Sequence, residues 1–179
     1  MMGQLLVRWR RLFLLSVAFY ATGIIIGVLS VSFIDDPSFT PNESNTWDVF
    51  RNNVAVGMLI IISGLITGGI LSSLIMIVNG YIIGFTIIGV ISSNGIKPIM
   101  EGLFPHFLPE SIAFLLCSTM GFGFGKYFLS YLIGIEHSKA EVKGALKDYM
   151  VMSVLFILLL LIASIIEANI STVMIKADS

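Results

Sequence analysis

The sequence predicts an all-α integral membrane bundle of about five transmembrane helices, with short amphipathic helices at the interface, as one domain over residues 1–179. Three observations predict it. Hydrophobic residues make up 56% of the chain and charged residues 12%, against about a quarter charged in soluble domains. Mean hydropathy is +0.98, so the charges are too few to cover a water-facing surface. The apolar residues also fall in runs of the length, about 20 residues, that crosses hydrocarbon.

The first run, residues 12–34, follows Arg8, Arg10 and Arg11. Charged residues before an apolar run imitate a signal peptide, but this run is too long for one, and an uncleaved span is expected. A polar segment at 35–53 is expected as a loop outside the bilayer. The second span is expected at 54–78. Asn79–Gly80 is a turn dipeptide and predicts a tight helical hairpin. A short third span, 80–95, fades at Ser92–Gly95 and is expected to be broken or tilted.

Residues 96–108 place Ile96, Ile99, Met100, Leu103, Phe104, Phe107 and Leu108 at helical spacing, with Lys97 and Glu101 opposite. That pattern predicts an interfacial amphipathic helix, limited to about two turns by Pro98 and Pro105. Pro109 suits the first turn of the fourth span, 110–134. An inner loop at 135–150 carries Lys139, Lys143 and Lys147 four apart, a stripe fit for lipid headgroups. The fifth span is expected at 151–170.

Basic residues stay on the cytoplasmic side. Arg8, Arg10, Arg11 and the three lysines therefore predict a cytoplasmic N-terminus and an external C-terminus in the cell membrane. Helices in lipid associate through small residues. Gly23/Gly27, Gly64/Gly68, Gly80/Gly84 and Gly121/Gly125 supply such seams. They serve intramolecular packing first, and a homodimer if one seam stays exposed. The fifth span lacks a seam and is expected to face lipid over much of its length.

Ionisable side chains within spans are costly, which singles out Glu110, Lys126 and Glu167. Lys126 lies near the inner headgroups, where it can snorkel. The topology brings Glu110 and Glu167 to the outer face, with His106, Arg51, Asn52 and Asn53. An outer polar cluster is expected, binding a ligand or partner or locking the bundle. Either glutamate could pair with Arg51 or hydrogen-bond to His106 or an asparagine.

Other chemistry is sparse. A net charge of −1 gives no basic field for nucleic acid. Cys117 is the only cysteine, which excludes an internal disulfide and a cysteine zinc site. No H-E-x-x-H or G-x-S-x-G motif and no paired aspartates occur in the spans, so no enzyme activity, cofactor or metal is expected. The surviving enzymatic alternative is a metal-dependent hydrolase using His106 and Glu110, interrupted by Pro109. Glu136, His137 and Glu141 read as a solvated face.

The order of motifs resembles a known family. "FRNN" at 50–53, "NG" at 79–80, Gly84, "PHFLPE" at 105–110 and "IIEANIS" at 165–171 are similar to the stage II sporulation protein M family of multi-pass membrane proteins. The matching positions are Phe50, Asn53, Asn79, Gly80, Pro105, His106, Glu110, Ala163, Glu167 and Ala168. Phe107 departs from the pattern, where the family usually has glycine. The resemblance implies a membrane scaffold; the sporulation member works with a cell-wall hydrolase and its partner. Relatives beside circular-bacteriocin genes imply transport or immunity, handling an apolar or amphipathic molecule. The expected role is a scaffold or component of a membrane or envelope complex, with those roles as the alternative.

Overall fold

Lipid offers no hydrogen-bond partners to the backbone, so apolar runs bond within themselves as helices. The computed structural model describes residues 2–33 and 45–177, with side chains over 7–32 and 45–169. Five α-helices form: α1 Met2–Ser30, α2 Thr46–Thr67, α3 Ile70–Asn94, α4 Phe104–Leu132 and α5 Lys139–Ala177. A 3-10 turn at Val31–Phe33 and a π-helical segment at Ile99–Leu103 complete the order, with no strand among the described residues. Among the described residues, five helices are long and apolar enough to cross a membrane.

The second and third spans are divided elsewhere than the turn dipeptide predicts. Asn79 and Gly80 lie inside α3, and the chain reverses at Gly68–Gly69. These two glycines adopt φ of 65° and 103°, a left-handed backbone that only glycine enters without strain. Thr67 Oγ1 accepts from the Leu71 amide at 3.0 Å, and Ser73 N bonds the Gly69 carbonyl at 3.0 Å. Asn79 instead donates to the Ile75 carbonyl one turn back at 2.9 Å. The third span is therefore a full 25-residue helix, neither short nor broken.

Two further polar segments are helical. Residues 46–53, expected in the outer loop, form the first turns of α2, where Asn45 caps the Trp47 amide at 2.9 Å. The rest of that loop up to residue 44, and residue 34 at the end of the expected first span, lie outside the described residues. Residues 139–150, expected as an inner loop, open α5. Ser138 and Glu141 form a reciprocal capping box there, with Ser138 N to Glu141 Oε2 at 3.0 Å and Glu141 N to Ser138 Oγ at 3.2 Å.

The helices alternate in direction. α1 lies parallel to α3, with Gly23 against the Ile77 carbonyl and Gly84 against Ile24. α2 lies parallel to α4, with Gly64 against Gly121 and Gly125 against Gly68. At Gly64 an added Cβ would stand 2.5–2.7 Å from the Gly121 backbone. All four glycine seams are thus occupied within the chain, as the intramolecular reading expects. Serine hydroxyls reinforce these contacts: Ser16 bonds Ser118 at 3.0 Å, and Ser72 bonds the Ile60 carbonyl.

α5 is less lipid-facing than its lack of a glycine seam predicts. It buries Met152, Phe156, Leu160 and Ala163 against the bundle, and leaves Val154, Leu158, Leu161 and Ile165 outside. Bulky α5 residues enter hollows made by the other helices. Phe156, for example, fills the space beside Gly57 and Cys117. Cys117 is fully buried and free, a small packing residue.

One end of the bundle is basic. Arg8 pairs with Asp148 at 2.8 Å, and the Trp9 indole N–H donates to the same carboxylate oxygen at 2.9 Å. Tyr149 packs at a tilt between Trp9 and Phe124, at ring separations of 5.0 and 4.2 Å. Gly123 leaves room for this group, since its Cβ would collide with the Tyr149 hydroxyl. Lys139, Lys143 and Lys147 project outward from the same end.

Candidate functional site

The site forms on α4, between its contact with α1 and its contact with α5, toward the end opposite the lysines. Prolines shape the entry to α4. Pro105 has no N–H to continue an α-helical ladder. The chain approaches it through the π segment, where the Phe104 N–H reaches back to the Ile99 carbonyl. The helix then runs through Pro109 without ending. Residues 96–108 are therefore not a separate interfacial helix. Their last turns are continuous with α4, and Ile99 and Gly102 are buried. Ile96, Met100, Phe104 and Leu108 remain exposed as an apolar stripe.

His106 and Glu110, one turn apart, face inward from this proline-rich turn, each partly buried. The imidazole lies near the Gly102 carbonyl one turn back, yet its Nδ1 is buried and makes no hydrogen bond. Glu167 comes from α5, and its carboxylate lies close enough to Glu110 to repel it.

The antiparallel register of α4 and α5 supports this placement independently. Tyr149 meets Gly123, Ser153 meets Met120 at 3.6 Å, and Phe156 and Cys117 meet beside Gly57. Carried on at the same pitch, the register sets Ala163 level with Glu110 and Glu167 level with His106. Ala163 is fully buried, and its small side chain leaves space beside the carboxyl.

α1 supplies a residue that sequence reasoning missed. Tyr20 is 7% exposed, and its hydroxyl lies 2.9 Å from Ser111 Oγ. Ser111 also donates to the Phe107 carbonyl at 2.8 Å. Tyr20 lies within electrostatic range of Glu110. It stands near the middle of the span Val7–Ser30, so the group reaches inward from the rim expected for it. Tyr20 reads as one more apolar residue in a greasy run. Its spacing from Gly23 and Gly27 on one helical face was the available signal.

Two of the three remaining expected members leave the bundle interior. Asn53 is buried on the α2 face that meets α4, while Arg51 and Asn52 are exposed. The ion pairs among the described residues are Arg8–Asp148, Lys97–Glu101 and His137–Glu141. The expected pairing of Arg51 with either glutamate is thus not formed, because Arg51 points away from the bundle. No group of three or more His, Cys, Asp or Glu side chains among the described residues converges tightly enough to hold a metal ion.

A concavity of about 500 Å³ lies at the α4–α5 corner, lined by Tyr127, Tyr131, Glu136, His137 and Val142 among others. Tyr127 packs edge-on to His137 at 4.7 Å, so this histidine is half-enclosed rather than on a wholly solvated face.

Parallel and antiparallel spans gathered around a buried polar group define a polytopic helical membrane protein. Residues 16–172 match the model of stage II sporulation protein M, and the chain belongs to that family. It is 28% identical over 167 residues to Uncharacterized protein MJ0793 of Methanocaldococcus jannaschii, covering 88% of this chain and 92% of that one. It is also 28% identical over 142 residues to Uncharacterized protein MJ0706 of the same organism, covering 77% of this chain and 62% of that protein. No solved structure matches the chain.

Proposed function

We propose that the chain is a non-enzymatic membrane scaffold that holds other membrane or envelope proteins against its outer helix faces. The observation that carries this reading is the backbone-contact packing of α1 on α3 and α2 on α4. Helices locked this closely behave as a fixed body, because such interfaces have no slack to slide. The faces turned outward, including Val154, Leu158, Leu161 and Ile165 of α5, are then free to meet lipid or a neighbouring span. A homodimer would have to use these faces, since the glycine seams are filled.

Photo-crosslinking residues placed at 154, 158 and 161 in native membranes test the reading. Discrete adducts with one or a few proteins are expected, and lipid adducts alone would overturn it. The same reading keeps the N-terminus cytoplasmic, with Lys139, Lys143 and Lys147 on anionic headgroups. Labelling of those lysines from the external side would reverse that orientation.

The proximity of Glu110 and Glu167 within the spans favours a second reading, a transport or immunity component, because intramembrane acids commonly mark solute or ion pathways. Proteoliposomes holding the whole chain should then pass an amphipathic cation faster than those holding Glu110→Gln. Equal rates would leave the scaffold reading.

A further inference from the structure

Two carboxyls and an imidazole that no described cation neutralises lie between α4 and α5. We infer that His106, Glu110 and Glu167 form a proton-binding site within the helical bundle, with one proton shared across the α4–α5 contact. This goes beyond the scaffold reading and holds whether or not a partner binds.

Glu110 and Glu167 lie within repulsive range of one another, and both fall in membrane-spanning segments. Two bare carboxylates there would suffer mutual repulsion and loss of hydration together. Something positive must lie with them, and no described side chain of a neighbouring element supplies it. On α2, Arg51 is exposed and Asp48 adds negative charge. In the π segment, Glu101 is exposed and accompanies Lys97. α3 carries no charged residue at all. On α1 the facing group is Tyr20, an uncharged phenol hydrogen-bonded to Ser111. On α4 itself, Lys126 lies four turns away, toward the lysine-rich end.

A metal is not favoured by the spacing of the ligands. A proton needs no coordination sphere. It comes from water at the helix ends, forms one O–H bond on a carboxyl, and leaves the same way. His106 completes the arrangement from the other direction. Its buried Nδ1 makes no hydrogen bond of good geometry, with the ring lying near the Gly102 carbonyl, and the helix register sets it level with Glu167. A neutral imidazole nitrogen can accept a proton that a carboxyl releases, or donate one to a carboxylate.

Infrared difference spectroscopy of the full chain in phosphatidylcholine–phosphatidylglycerol vesicles, stepped from neutral to alkaline pH, tests the inference. A carboxylic-acid C=O band that disappears on the alkaline step is expected in the wild type. Glu110→Gln and Glu167→Gln should each abolish or shift it, whereas Glu101→Gln should leave it unchanged. Absence of the band in the wild type at neutral pH overturns the inference. So does a band that survives both glutamine variants. Should one variant fail to fold, the other decides, because a shared proton depends on both partners. A parallel titration with sodium chloride at fixed pH separates the two monovalent cations of interest. Loss of the band on adding sodium, with no equal effect of choline chloride, would assign the site to sodium and overturn the proton assignment.

Discussion

Gly64→Val should unfold or severely loosen the bundle. The new side chain would start 2.5–2.7 Å from the Gly121 backbone, and a backbone in mid-helix cannot step aside as a flexible side chain can. Overpacking a core costs about 1–3 kcal/mol when side chains give way. Here α2 and α4 must separate along their length, so the cost should reach the top of that range. The thermal midpoint in mild detergent should fall by roughly 6 °C or more, at about 2–4 °C per kcal/mol for a chain of this size. Ala55→Val, an exposed position on the same helix, is the matched control and should leave the midpoint unchanged. A Gly64→Val protein as stable as the control would mean that α2 and α4 do not touch as described. Gly27→Val should act alike on the α1–α3 pair, where the added carbon would meet the Tyr81 carbonyl.

Asp148→Ala should give the second largest loss, at the other end of the molecule. The carboxylate holds the Trp9 indole N–H at 2.9 Å and the Arg8 guanidinium at 2.8 Å from one oxygen. Trp9 is 5% exposed, so removing its acceptor strands a buried donor, worth about 1–3 kcal/mol. The Arg8 side chain is 49% exposed, and its share is small because water screens it. The expected loss is therefore about 2 kcal/mol, with most of it from the indole. Asp148→Asn keeps an acceptor for Trp9 and should lose less than half as much. Equal losses for the two variants, measured as midpoints in the same detergent, would show that the charge on Asp148 matters more than its hydrogen bond to Trp9.

Much of this architecture was legible because its cause is local. Apolar length gives the spans, and small residues four apart give the seams. The α2–α3 reversal was harder to read. Two glycine-containing turn signals, Gly68–Gly69 and Asn79–Gly80, compete within one uninterrupted apolar stretch, and periodicity cannot choose between them. The choice is made in three dimensions. Gly80 is needed against the Tyr20 carbonyl of α1, and a turn there would remove that contact. The α5 onset was visible as Ser138-x-x-Glu141, a capping-box pattern that places residues 139–150 on a helix. In the candidate site, Glu110 and Glu167 were legible from the cost of placing acids in lipid. Arg51 was misplaced because a topology gives only the level of a residue and not the face it occupies. Tyr20 went unseen because its value comes from a hydroxyl partner 91 positions away in sequence.

The Gly68–Gly69 reversal also bears on how the chain is made. No charged residue lies between Arg51 and Lys97, and Ile66 and Ile70 on either side of the turn are 68% and 71% exposed. A ribosome-bound chain thus presents the insertion machinery with one long greasy segment and no hydrophilic stop within it. On the proposed orientation, the two spans would enter the bilayer as a single folded-over unit, their direction set by Arg8, Arg10 and Arg11 in the first turns of α1 and by the lysines that open α5.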